Sequence, residues 1–153
     1  MYDTVPNRTA KRRRLAAAKS TVKLAQLQKE IAHLPRPRDF AAAIALPGKL
    51  GLIAEIKRVS PSKGLIAPRL DIGRTVNDYI IAGAAAISVL TEEDYFCGSL
   101  ADLRFVRSIS KLPILRKDFI FDEYQIYETR AAGADAFLLI ADLLPVQRLT
   151  RLI

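Results

Sequence analysis

From Gly51 onward, short β-rich apolar runs alternate with helical patterns, and few folds accept that alternation. The runs are Leu52–Lys57 (LIAEIK), Ala86–Leu90 (AISVL), Pro113–Lys117 (PILRK) and Ala136–Ile140 (AFLLI). Their near-continuous apolar character marks parallel strands covered on both faces. Between them, Asp71 is placed to cap a helix carrying Ile72, Val76, Tyr79 and Ile80, which Gly83 ends. Ser99 opens a second helix with Asp102 at the capping-box position, and Asp122 opens a third, with Gln125 reaching back and Gly133 as the stop. Strands starting at residues 52, 86, 113 and 136 begin 34, 27 and 23 residues apart, the length of a strand plus its crossover helix. Right-handed crossovers curl such a βαβαβαβ chain into an open doubly wound sheet or a closed barrel. The first βα turn, Arg58–Gly64 (RVSPSKG), has no G-x-G-x-x-G, which disfavours the open sheet. Charges gather at C-terminal strand ends, with Glu55 and Lys57 on the first strand and Lys117 and Asp118 on the third. Barrel enzymes keep their chemistry there, so the expected class is an α/β barrel.

The front of the chain is different. Residues 1–50 hold 11 basic and 3 acidic side chains, residues 51–153 hold 13 of each, and the whole formal charge of +8 therefore sits in the first third. Leu24, Leu27, Ile31 and Leu34 recur at helical spacing, so one amphipathic helix is expected from about Thr9 to Leu34, stopped by Pro35 and Pro37. Asp39 is a candidate N-cap for a short second helix through Phe40 and Ile44, ending near Pro47 and Gly48. We read residues 1–50 as a helical extension and 51–153 as the strand and helix unit. The run Lys11–Arg14 offers an anion-attracting arm, yet no aromatic residue interleaves with it, so a solvated helix face is expected and nucleic acid is not. No run approaches the roughly 18 apolar residues that a bilayer span needs, and no signal-peptide core is present, so the expected location is cytoplasmic.

A lone Cys97 and a lone His33 leave little for thiol, imidazole or zinc chemistry, and no metal site is expected. Catalysis then rests on Lys, Asp, Glu and Ser. Glu55 and Lys57, two apart on one strand, point to the same side of the sheet, which in a barrel is the interior. Burying both is costly unless they pair or bind a charged ligand, and a structural ion pair is the plain alternative. Lys117 poses the same question, and two interior lysines call for an anionic substrate. Ser60 and Ser62 bring hydroxyls to the barrel mouth, a weak phosphate signal. Phe96 and Phe119 follow strand ends, where each either closes the core or stacks on an aromatic ligand. Cys97 lacks a basic neighbour and is not expected to be a nucleophile. Asp118 alternates to the other face as a structural partner, and Glu92, Glu93 and Asp94 read as a solvated acidic loop.

Four segments, LIAEIKRVSPSKG (52–64), AAAISVLTEEDYFCG (84–98), LPILRKDF (112–119) and AAGADAFLLI (131–140), resemble indole-3-glycerol phosphate synthase in order and spacing. The likeness begins near Arg36–Phe40 (RPRDF) and runs to Ile153. It implies a (β/α)8 TIM barrel that needs no cofactor and closes the pyrrole ring of indole from 1-(2-carboxyphenylamino)-1-deoxyribulose 5-phosphate, releasing carbon dioxide and water. By resemblance, Lys117 is the general acid on the substrate ketone, Lys57 holds the substrate's anionic groups and assists dehydration, and Glu55 works with Lys57. Ser60 matches a phosphate-binding serine, while Phe96, Phe119, Leu90 and Leu138 match the pocket for the anthranilate ring. A complete barrel takes about 250 residues, so only the N-terminal helices and about four βα units are expected, ending within the helix that Pro145 opens. The general-base glutamate and most of the phosphate cradle belong to the family's later strands. The chain alone is therefore expected to be inactive, to offer unpaired strand edges, and to pair with a C-terminal half-barrel or self-associate. The alternative is a non-catalytic half-barrel that binds or assembles through the basic N-terminal helix; phosphoribosylanthranilate isomerase, another barrel, lacks the serine-proline-serine turn and the lysine-aspartate-phenylalanine strand end.

Overall fold

The structure, a computed structural model, describes residues 8–153; the first seven positions of the expected extension lie outside the described residues. Three helices, α1 (Arg8–Thr21), α2 (Leu24–Ala32) and α3 (Phe40–Ile44), precede β1 (Ile53–Ile56). A two-stranded ribbon follows, β2 (Val59–Ser60) against β3 (Gly64–Leu65), and then α4 (Ile72–Ile81), β4 (Ala86–Leu90), α5 (Leu100–Ile109), β5 (Ile114–Lys117), α6 (Glu123–Ala131), β6 (Ala136–Phe137) and α7 (Val146–Leu152). The strands β1, β4, β5 and β6 form one parallel sheet in that order, half the strand count of a closed eight-stranded barrel. Both outer edges, β1 and β6, lack a strand partner among the described residues.

The helix starts follow the local chemistry. The side chains of Asp39, Asp71 and Ser99 accept from the backbone N–H three residues on, and Asp122 with Gln125 forms a reciprocal capping box. Helices α4 and α6 end at Gly83 and Gly133, both at positive φ (79° and 92°), where a Cβ would be strained. The single long N-terminal helix is not what forms: the chain breaks at Val22 and Lys23, and Lys23 is extended. The hydroxyls of Ser20 and Thr21 both donate to the Ala17 carbonyl (2.7 and 3.0 Å), and the Tyr124 hydroxyl lies within hydrogen-bond distance of the Ala18 and Val22 carbonyls. Ala18 also accepts from the Val22 N–H, so the carbonyl that another turn would have used is that of Val22, and Tyr124 satisfies it. The last run is also shorter than expected, with β6 covering Ala136–Phe137 of 136–140 and one further ladder bond from Leu138 N–H to the Arg116 carbonyl. Beyond it the backbone turns through a 3₁₀ segment, Ala141–Leu143.

Alternation along the strands divides the sheet into two faces. Ile56, Ile87, Val89 and Ile114 pack with Ile72, Val76, Leu103 and Val106 of α4 and α5 into the apolar core. The opposite face carries Glu55, Ser88, Leu90, Leu115 and Lys117, with Glu55 level with Ser88, Ser88 with Leu115, and Leu90 with Lys117.

Candidate active site

At the C-terminal ends of β1 and β5 one carboxylate joins two ammonium groups. Glu55 Oε1 lies 2.5 Å from Lys57 Nζ, and its Oε2 lies 2.8 Å from Lys117 Nζ, across 62 residues of sequence. Lys57 falls just beyond β1, and the Tyr79 hydroxyl donates to the Glu55 carbonyl (2.9 Å), tying this strand end to α4. Partial burial pushes the Glu55 carboxyl up, but the hydrogen bonds and charges of Lys117 and Lys57 outweigh it and hold it below the usual range. The result is a half-buried carboxylate keeping two cations on the sheet's inward face.

The aromatic candidates meet: the Phe96 and Phe119 rings lie 6.4 Å apart, tilted by 44°. Leu90 is buried level with Lys117, and Leu138 is partly buried one strand further on. A cavity of about 630 Å³ opens beside Phe119, lined also by Lys11, Leu15, Leu144 and Arg148. Ser60 sits in β2, and its hydroxyl lies 3.0 Å from that of Ser62. The two serine hydroxyls therefore face one another. The ribbon is held by Arg58, whose guanidinium grips Asp102 with two bonds (2.6 and 2.9 Å) and reaches the Cys97 carbonyl (3.3 Å). Cys97 itself is exposed, at φ 50°.

Three features differ from the sequence reading. Glu92 is only 1% exposed, because its carboxylate turns back to accept from the Asp94 and Tyr95 N–H groups, whereas Glu93 and Asp94 are exposed as expected. Nor is the basic run a purely solvated face: Arg14 pairs with Glu93 and Asp94, and Lys11 is buried 2.5 Å from Asp118, although Arg12 and Arg13 remain exposed. Asp118 also takes Arg116 (2.9 Å) and the Thr91 hydroxyl (2.7 Å), while Arg116 reaches Glu128 and Thr129 of α6. Burial works against the Asp118 charge, but Arg116 and Lys11 hold its carboxyl below the usual range. Arg116 was not singled out from sequence, yet the signal is there. It alternates with Lys117, so it must enter the helix layer and find anions.

A family model for indole-3-glycerol phosphate synthase matches residues 7–153. The chain belongs to that family. Similar proteins named indole-3-glycerol phosphate synthase include one from Desulforamulus reducens, 49% identical over 132 residues (86% of this chain, 50% of the relative). One from Carboxydothermus hydrogenoformans is 58% identical over 106 residues (69% and 40%), and one from Roseiflexus is 42% identical over 159 residues (99% and 59%). The chain thus spans about half the length of the curated relatives it matches. The indole-3-glycerol phosphate synthase fold is a TIM barrel, and the four parallel strands with their helices form part of that α/β architecture. No helix among the described residues is long and apolar enough to cross a membrane.

Proposed function

We propose that this chain carries the first half of an indole-3-glycerol phosphate synthase site, acting in the cytoplasm on the phosphorylated, anthranilate-derived ketose named above. The observation that supports this most is the single Glu55 carboxylate shared by Lys57 and Lys117. An anionic substrate competes with Glu55 for both ammonium groups, so ligand charge replaces protein charge without leaving a cation unpaired. Lys117 then donates a proton to the ketone oxygen as the ring carbon attacks, forming the new carbon–carbon bond. Loss of carbon dioxide and of water from the resulting ring follows, with Lys57 holding the carboxylate side of the substrate and assisting departure of the hydroxyl. Glu55 works with Lys57, holding it before the substrate arrives and receiving it again as the substrate's charge is lost. Phe96, Phe119, Leu90 and Leu138 offer the apolar wall for the aromatic ring, and Ser60 offers a hydroxyl to the phosphate once the ribbon turns it from Ser62.

The unpaired edges of β1 and β6 would be covered by a complementary C-terminal half or a second copy. The test is to assay indole-glycerol phosphate formation by the chain alone and after mixing with the C-terminal half of a relative. Activity is expected only in the mixture; full activity of the chain alone would overturn the requirement for later strands. In the mixture, Lys117→Ala is expected to lower kcat about 100-fold or more, whereas a rise in KM with kcat unchanged would reduce Lys117 to an anchor.

A further inference from the structure

Ser88 has a buried hydroxyl with no use in the structure as it stands. It is 4% exposed, and its Oγ is the buried side-chain polar atom among the described residues with no hydrogen-bond partner. Such atoms are rare, because a buried hydroxyl without a partner is costly. Packing on this face does not call for a hydroxyl, since Ala86, two residues earlier, is fully buried there with only a methyl group. The register supplies a reason. Ser88 is level with Glu55 on β1, while Leu90, on the same face, is level with Lys117 on β5. The Lys117–Glu55 bridge therefore spans β4 over Ser88 and Leu90, and the Ser88 backbone is one strand spacing, about 4.8 Å, from that of Glu55, with both side chains on the same face.

We infer that Ser88 is a positioning residue for Glu55: its hydroxyl donates to the Glu55 carboxylate when an anionic ligand draws Lys57 and Lys117 away. This rests on the proposed function for the ligand that does the drawing, but not for the hydroxyl's effect on Glu55. With both lysines on Glu55 the carboxylate's best directions are taken and Ser88 stays idle. Once they leave, a donor on the neighbouring strand keeps Glu55 ionised and directed inward, ready to receive the lysines again.

Removal of Lys117 frees Glu55 Oε2 while Lys57 stays on Oε1, and so opens half of the ligand-bound arrangement without any ligand. The Glu55 side-chain carboxyl is titrated by carbon-13 NMR in the full chain and in Ser88→Ala, Lys117→Met and the double variant, with backbone amide spectra confirming that each is folded. Ser88→Ala alone is expected to move the Glu55 midpoint by less than about 0.3 pH unit, whereas in the Lys117→Met background it should raise it by about 0.5 unit or more. Ser88→Thr, which restores a hydroxyl, should return the midpoint, and Ser88→Cys, a weaker donor of similar size, should fall between. Equal shifts in both backgrounds, or none in either, would overturn the inference; so would a shift that Ser88→Thr fails to reverse. Because the readout involves no turnover, an inactive mixture of half-barrels would count against the proposed function and leave the Ser88 result standing.

Discussion

Replacing Lys11 with methionine removes one ammonium from the buried carboxylate of Asp118 while keeping the aliphatic stem. The Asp118 side chain is fully buried, and its four close donors are known: Lys11 at 2.5 Å and the backbone N–H of the adjacent Phe119 at 2.7 Å on Oδ1, Arg116 at 2.9 Å and Thr91 at 2.7 Å on Oδ2. Stripping a buried ion of its only partner costs about 3–5 kcal/mol. Here Arg116 and two neutral donors remain, so the loss is closer to that of one charge-assisted hydrogen bond, about 1.5–3 kcal/mol. The control is Lys19→Met: Lys19 is 43% exposed in its pair with Asp122, and a surface pair of this kind contributes about 0–1 kcal/mol. Urea unfolding at pH 7, followed by circular dichroism, should show the Lys11 variant losing at least about 1 kcal/mol more than the Lys19 variant. Loss of the Lys11 charge also leaves the Asp118 carboxyl less depressed, so the difference between variant and parent should shrink as pH falls and Asp118 protonates. Equal losses for the two variants, or a Lys11 effect that persists unchanged in acid, would refute the claim that α1 is anchored by a buried charge.

Two further outcomes follow from the core and from the carboxylates. Leu103 on α5 is fully buried in the apolar cluster, and Leu103→Ala should cost about 2–5 kcal/mol in the same urea assay, against less than about 0.5 for Arg104→Ala on the exposed side of the helix. Glu55, Asp102, Asp118 and Asp122 are all held below their ordinary values, in each case by basic partners that outweigh burial. A depressed folded value means stability that is present in full above the unfolded pKa, about 4, and is lost as pH falls through the folded one. The urea midpoint should therefore be flat from pH 7 to about 5 and fall steadily below 4, and a midpoint that rises on acidification would contradict these pairings.

Much of this molecule is legible in its residues one segment at a time. The caps at Asp39, Asp71, Ser99 and Asp122, the stops at Gly83 and Gly133, and the alternation that puts Glu55 on one face and Ile56 on the other all depend on neighbours within about four positions. The same alternation in Leu115–Asp118 separates Lys117 from the Arg116 and Asp118 pair before any fold is known. Glu92 escaped because three consecutive acids look solvated until one turns back on its own loop, and the α1–α2 break escaped because Tyr124, more than 100 residues away, completes it.

The order of strands and helices, the caps and the face each strand residue takes were set by local pattern, since backbone sterics and short-range hydrogen bonds act within a turn or a pleat. Which ammonium meets which carboxylate was decided only by packing. Lys117 reaches Glu55 because β4 lies between their strands with Ser88 and Leu90 beneath the bridge, and Lys11 reaches Asp118 because α1 lies against the end of the sheet. Burial leaves a charge no solvent to turn to, so its partner is whatever the assembled elements bring within a few ångströms, and no local pattern carries that information.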